Sequence, residues 1–490
     1  MARHNRSTKE AKHRRKKSRR GPPTNQDSFR ALWDWFLPAG IFAKLVCHGN
    51  TKWLPTHLVV LAFYWTWSDA RCLTDAFVGA SEVARSLFEL PVIHTYQGFM
   101  RALVTWSPTL MRLLTGLVRQ RMEEIGGRWW RIDGWVPIAF DGSRSTAPRT
   151  RSNEAAYCAA NHGKGTTAKY RKKKTKGMRR KQNAKNKPQP PAPQMWMTLM
   201  WHMGLRLPWA WRLGPSDASE RDDAMAMVAC EDFPEKTLFC GDAGFIGYPL
   251  WSAMMKGGHD FLVRAGANVY LQVETEKGRV VKEGRDQIVV CWPKDAQRAG
   301  LPPLRLRLIH TRIHQTKVWL LTSVLERTQL TRSQSVRLYQ FRWGIELEFR
   351  GLKQTLDRAE LRCRTADRAR VELDWSILGM AVAELFALRE QMSTRASRKK
   401  RDVPAKRSLA GTMRALRWCM RNRNEAVESG TSLSDRLRDA VIDEYERPSS
   451  KRARYRPQNP DKKPLGDPKL RVLTTKEKQK LRKIEAKEAG

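Results

Sequence analysis

Acidic residues are scarce in this chain. Only 49 Asp and Glu stand against 92 Lys and Arg in 490 residues, a formal net charge of +43. That imbalance excludes a neutral metabolic enzyme and points to a polyanionic partner. Paired cysteines are lacking too: the eight cysteines are scattered with no C-x-x-C pair. This excludes a disulfide scaffold and a zinc ribbon, and a reduced, intracellular protein is expected. No long apolar run exists either. The longest, Leu58 to Trp67, has about ten residues and is too short to span a bilayer, so no membrane partner is expected. The opening MARHNRSTKEAKHRRKKSRR has no apolar stretch behind its charges, which argues against a secretory signal.

The basic surplus is concentrated rather than spread. Residues 1–20, 164–187, 395–407 and 447–490 carry net surpluses of nine, twelve, six and ten, leaving +6 for the remaining residues. The nearly balanced remainder has enough apolar content, 41%, to build packed cores. Composition and periodicity divide the chain as follows. A basic tail covers 1–28, and helical spacing covers 29–128, closed by Gly126 and Gly127. Alternating strands and helices fill 129–260, interrupted by a basic, proline-closed loop insert at 164–193. A β-rich block follows at 261–324, then a helical return at 325–392. The last part, 393–490, is basic, contains an amphipathic helix near Leu409 to Met420, and is a candidate for dimerisation. The fold class expected is α/β with a helical N-terminal domain, a β-rich insertion and basic tails.

Three carboxylates stand out by position. Asp141 ends a predicted strand (AFDGS), Asp242 ends another (FCGDAG), and Glu346 lies on the helix after the β-rich block. Strand ends on one sheet edge converge, and a nearby helix can add a third acid. Like charges at short range oppose ionisation, so such a trio calls for cations. Mg²⁺ or Mn²⁺, as a pair of ions, suits oxygen ligands and phosphate chemistry. Either aspartate alone, with glycine one residue on at Asp141 and two residues on at Asp242, is also an ordinary turn signal. The helix sharpens the pattern: Tyr339, Arg342, Glu346 and Lys353 are spaced Tyr-x2-Arg-x3-Glu-x6-Lys, which on a continuous helix shares one face. Glu348 is the rival third acid but lies about 200° from Glu346 around the helix.

This Tyr-Arg-Glu-Lys spacing, with DGS upstream and GDAGF before a β-rich block, resembles the IS4-type DDE transposases of bacterial insertion sequences. The resemblance covers roughly residues 130–392 and implies a ribonuclease H-like catalytic core interrupted by the β-rich insertion. It implies that Asp141, Asp242 and Glu346 are the catalytic and metal-binding triad, and that Tyr339, Arg342 and Lys353 hold DNA phosphates. It further implies binding of terminal inverted repeats, cleavage at the element ends and joining of the 3′-hydroxyls to target DNA, within a synaptic homodimer. The expected location is the bacterial cytoplasm, on the nucleoid. The family's hairpin step needs an aromatic platform for a flipped base, for which Trp319 and Trp343 are candidates, with core packing the competing role of each. Alternative readings are a nuclease that cleaves without joining, a domesticated or inactive copy that only binds DNA, and a basic architectural protein.

Overall fold

The computed structural model describes residues 24–45, 53–88, 93–158, 192–273, 275–276, 279–283, 285–313, 316–393, 403–427, 430–442 and 466–488. The tail before Thr24 and the insert 164–191 lie outside the described residues. Thr24 starts the first helix, α1 (Asn25–Phe36), through a capping box with Asp27. The helical region therefore begins before residue 29, because a satisfied cap outweighs the adjoining basic composition. Helices α2 (Pro55–Trp67), α3 (Leu73–Phe88) and α4 (Tyr96–Gly126) follow, and α4 ends at Gly127, whose φ of 47° is the left-handed stop. Trp33, Trp65 and Trp67 are fully buried here, and Trp33 stacks on Trp67 at 5.7 Å.

The strands β1 (Val136–Thr146), β2 (Gln194–His202), β3 (Leu207–Gly214), β4 (Thr237–Gly241) and β5 (Asp260–Ala265) form one half of a mixed sheet. Strand β1 runs antiparallel to β2 and parallel to β4, and β4 runs parallel to β5. Helix α5 (Arg151–Tyr157) follows β1, α6 (Glu220–Cys230) bridges β3 to β4, and α7 (Tyr248–Lys256) bridges β4 to β5.

The β-rich block is a continuation of that sheet. Its strands include β6 (Tyr270–Val273), β7 (Thr275–Glu276), β8 (Arg279–Val280), β9 (Lys282–Glu283), β10 (Asp286–Cys291), β11 (Leu304–Ile313) and β12 (Thr316–Thr322), of which β7 and β8 pair with each other as a separate two-stranded sheet. Strand β12 pairs antiparallel with β5, extending the path to β6-β10-β11-β12-β5-β4-β1-β2-β3. Backbone pairing passes without a break from the block into the α/β part, so residue 261 is not a seam between separate sheets.

Behind the sheet lie α9 (Arg332–Phe341), α10 (Gly344–Arg350) and the 27-residue α11 (Ala366–Met392), with the short α8 (Lys294–Arg298) between β10 and β11. Helix α11 is apolar on nearly every side because α2, α4 and β3 all pack on it. Trp67 donates to the Gly379 carbonyl at 2.8 Å and Trp375 to Ser107 at 2.7 Å.

The C-terminal region is partly consumed by the same chain. Helix α12 (Leu409–Arg421) buries Met413, Leu416 and Cys419, and α13 (Leu433–Arg438) packs beside it on α11. The apolar face of α12 is thus not free for a dimer partner. Strand β13 (Lys469–Val472) joins β6 in parallel, and α14 (Thr475–Glu488) follows it. Main-chain pairing is indifferent to side-chain charge, which is why so basic a segment can still serve as an edge strand. Among the described residues no helix is long and apolar enough to cross a membrane.

Candidate active site

Asp141 sits in the middle of β1 rather than at its end. Pairing with β4 stops at Ala139–Cys240, while pairing with β2 continues to Thr146. At Asp141 the strand has therefore lost its neighbour on one side, and an opening remains. Asp242 stands directly after β4 at the rim of that opening, its Oδ1 accepting from the Gly244 amide at 2.7 Å. Asp141 Oδ1 accepts from the Gly142 amide at 2.9 Å.

The segment carrying Tyr339, Arg342, Glu346 and Lys353 is not one continuous helix. Helix α9 ends at Phe341, Arg342 and Trp343 form a turn, α10 carries Glu346, and residues Gly351–Thr355 form a π turn bearing Lys353. Packing explains the breaks: a Cβ at Gly344 would stand 2.2 Å from the Trp201 ring, so α10 presses directly on β2 and departs from the axis of α9. The π turn advances Lys353 to β1, where its Nζ donates to Ser143 Oγ at 2.7 Å.

Arg342 links the acids. It is 7% exposed, its Nη1 lies 3.8 Å from Asp141 Oδ2 and its Nη2 lies 4.0 Å from Glu346 Oε1. Its guanidinium also lies over the half-buried Tyr339 ring, 5.5 Å from the centroid. Burial pushes up the Asp141 carboxyl, with Asp242 adding to the effect and Arg342 opposing it. Burial likewise raises Glu346, against Arg342 and with help from Asp141 and Asp242. Lys353 is lowered by burial and then by Arg144. Asp141, Gly142, Ser143, Glu346, Arg350 and Lys353 line one open cleft of about 420 Å³. A cavity of about 480 Å³ between α4, β3 and α11 contains none of the expected site residues.

Among the described residues no three His, Cys, Asp or Glu side chains converge into a ready-made ligand shell. The donor chemistry nonetheless fits a hard divalent ion. All candidate donors are carboxylate oxygens, Asp141 and Glu346 line one open cleft with Asp242 near enough to raise both, and their mutual repulsion is what a cation would relieve. Asp141, Asp242 and Glu346 are the residues that would hold it.

The two tryptophans part company. Trp319, on β12, donates to Asp467 at 2.8 Å and stacks on His310 at 4.4 Å, with β5 and β4 between its strand and β1. Trp343 adjoins Arg342 and is 57% exposed.

Sequence reasoning missed Glu220. It is the first residue of α6, half-buried, and burial followed by Asp141 and Asp242 pushes its carboxyl to about 7. Its signal was hidden in Ser-Glu-Arg-Asp-Asp, where acids in a first helical turn are accounted for by the helix dipole.

Glu348 points away from the cleft and is buried against Glu384 of α11, with Arg407 and Arg206 nearby. Burial, then Glu384, raises its carboxyl well above the ordinary carboxylate range. A carboxyl raised on folding contributes stability that is complete below the unfolded value and declines as pH climbs toward the folded one. Unfolding free energy is therefore expected to fall with rising pH in that window, by up to about 1.4 kcal/mol per unit for one proton. Glu348→Gln should flatten this slope in denaturant titrations, and an unchanged slope would contradict the assignment.

This acidic cleft, flanked by Arg and Lys on a broken helix, lies within a stretch of the chain that a known family matches. The chain belongs to the transposase DDE domain family, which matches residues 137–381, half of its length. Among solved structures it is similar to a cryo-EM structure of the piggyBac transposase synaptic complex with hairpin DNA. Identity is 12%, the TM-score 0.40, and the match covers 88% of this chain and 90% of that one. No curated protein matches the chain.

Proposed function

We propose that this transposase is of the IS4 type, with a ribonuclease H-like core, and that it binds the terminal repeats of its own element, cleaves there and joins the ends to target DNA. The observation that carries the reading is Arg342, a buried cation set between Asp141 and Glu346 with Asp242 beside them. The sheet order β5-β4-β1-β2-β3, with β1 parallel to β4 and antiparallel to β2, supports the core assignment.

In the proposed reaction water attacks a phosphorus at the element end, and the P–O3′ bond breaks. The departing O3′ takes a proton, leaving a 3′-hydroxyl and a 5′-phosphate. In the second step that 3′-oxygen loses its proton and attacks a target phosphorus, forming a new P–O bond while the target's own P–O3′ bond breaks and its oxygen takes a proton. Two divalent ions, Mg²⁺ or Mn²⁺, would supply activation of the attacking oxygen and stabilisation of the leaving one. Asp141, Asp242 and Glu346 supply the negative charge that holds them. Arg342 and Lys353 offer N–H donors to the phosphate oxygens and Tyr339 a hydroxyl, while Trp343 is the better exposed of the two stacking candidates. Synapsis of two ends implies a homodimer, and DNA binding implies association with the nucleoid.

Lys353 gives the binding test. Lys353→Ala should weaken binding to fragments spanning the flanks of the reading frame and reduce the slope of log affinity against log salt by about one contact, measured by fluorescence anisotropy. Salt dependence equal to wild type would remove Lys353 from the phosphate grip. A fragment set bound no better than unrelated DNA would contradict end recognition.

A further inference from the structure

We infer that Glu220 is a fourth carboxylate of the metal-holding site, closing on the ion between Asp141 and Asp242. This rests on the proposal above that those aspartates hold a divalent cation. The placement is set by two glycines. A Cβ at Gly142, next to Asp141, would stand 2.3 Å from Glu220 Oε1. A Cβ at Gly244 would stand 3.8 Å from Glu220 Oε2 and 2.9 Å from Asp242 Oδ1. One oxygen of Glu220 therefore faces the Asp141 strand and the other faces the Asp242 turn, and glycine after Asp141 is what leaves the carboxylate its space.

The other acids of the same helical turn are differently engaged. Asp223 accepts from Thr198 at 2.9 Å and pairs with Arg212 at 3.5 Å, while Asp222 is exposed. The Glu220 carboxylate has no hydrogen bond or ion pair among the described residues, although it is half-buried beside two other carboxylates that outweigh the attraction of Arg144. A carboxylate in that position is costly unless a cation joins it.

Arg342 independently points to a ligand between Asp141 and Glu346. It is buried, yet its Nε and Nη1 have no hydrogen-bond acceptor, and its nearest carboxylate oxygen is beyond hydrogen-bond reach at 3.8 Å. Unpaired donors of a buried guanidinium, aimed between acids that stand apart, leave room for a bound group carrying oxygen, as a metal-bridged phosphate would be. Four carboxylates form a more complete oxygen shell for two ions than three do.

The test is Mn²⁺ binding to the full chain without DNA, followed by electron paramagnetic resonance of the free ion, for wild type, E220Q and E346Q. E220Q is expected to weaken Mn²⁺ binding about tenfold or more, with a melting temperature in EDTA equal to or above wild type. E220Q affinity within twofold of wild type, while E346Q is weakened, would overturn the fourth-ligand assignment and leave the triad standing. A lower melting temperature of E220Q in EDTA would make Glu220 a structural residue and also overturn it. No saturable Mn²⁺ binding by wild type would overturn the metal reading itself, and this inference with it.

Discussion

Glu346→Gln is expected to lower divalent-metal-dependent DNA cleavage by more than about a thousandfold, whereas Glu348→Gln, two residues on, should leave cleavage within about threefold. Removing a charged ligand from a two-ion site forfeits several kcal/mol of transition-state stabilisation, and about 4 kcal/mol is a factor of 10³ in rate. Glu346 lines the cleft and is 4.0 Å from Arg342. Glu348 is buried on the opposite side against α11. The folded state should tolerate the first change well, since burial and two neighbouring acids already disfavour the Glu346 charge. Quantifying nicking of supercoiled plasmid by both variants, with melting curves in EDTA, checks the contrast. Equal losses in the two variants would remove the distinction between them.

The largest effect on stability is expected from Arg407→Met. Arg407 is fully buried, donates to the Leu205 carbonyl at 2.9 Å and to the Arg206 carbonyl, and lies 3.4 Å from Glu384, the partner of Glu348. Removing one member of a buried ion pair typically costs about 3–5 kcal/mol, because the remaining charge is left uncompensated. The cost should be smaller at pH 5 than at pH 8, since Glu348, whose carboxyl burial already raises, can then hold a proton in place of the lost cation. Urea titrations at the two pH values measure it. A loss below about 1 kcal/mol at pH 8 would mean that this cluster does not tie α10 and α11 to the region of Arg407.

Three candidate acids, Asp141, Asp242 and Glu346, stood out in the sequence because an apolar run ending in Asp with glycine one or two residues on, and Tyr-x2-Arg-x3-Glu-x6-Lys, are local patterns. The separation of Glu346 from Glu348 was also legible, since helical angle alone decides it. What local pattern cannot give is pairing between distant segments. The β-rich block reads as an insertion, yet β12 pairs with β5 and continues the sheet, and β13 arrives from the basic C-terminal region to pair with β6. The break at Arg342 and Trp343 and the π turn at Lys353 depend on what α10 meets, namely Trp201 across Gly344, which no helical periodicity encodes. Glu220 was hidden for a third reason. An acid at a helix start has a sufficient local explanation, and its second role appears only when β1 and β4 come to lie beside it.

Strand-break mapping separates metal-dependent cleavage at the element ends from DNA binding alone. A plasmid carrying the reading frame with its natural flanks is incubated with the full chain and Mg²⁺, and break positions are sequenced for wild type and E346Q. Wild-type breaks are expected at two inverted sequences bracketing the frame, with free 3′-hydroxyls, and none with E346Q. Breaks produced equally by E346Q, or an intact plasmid with wild type under conditions where the flanks are bound, would contradict that expectation.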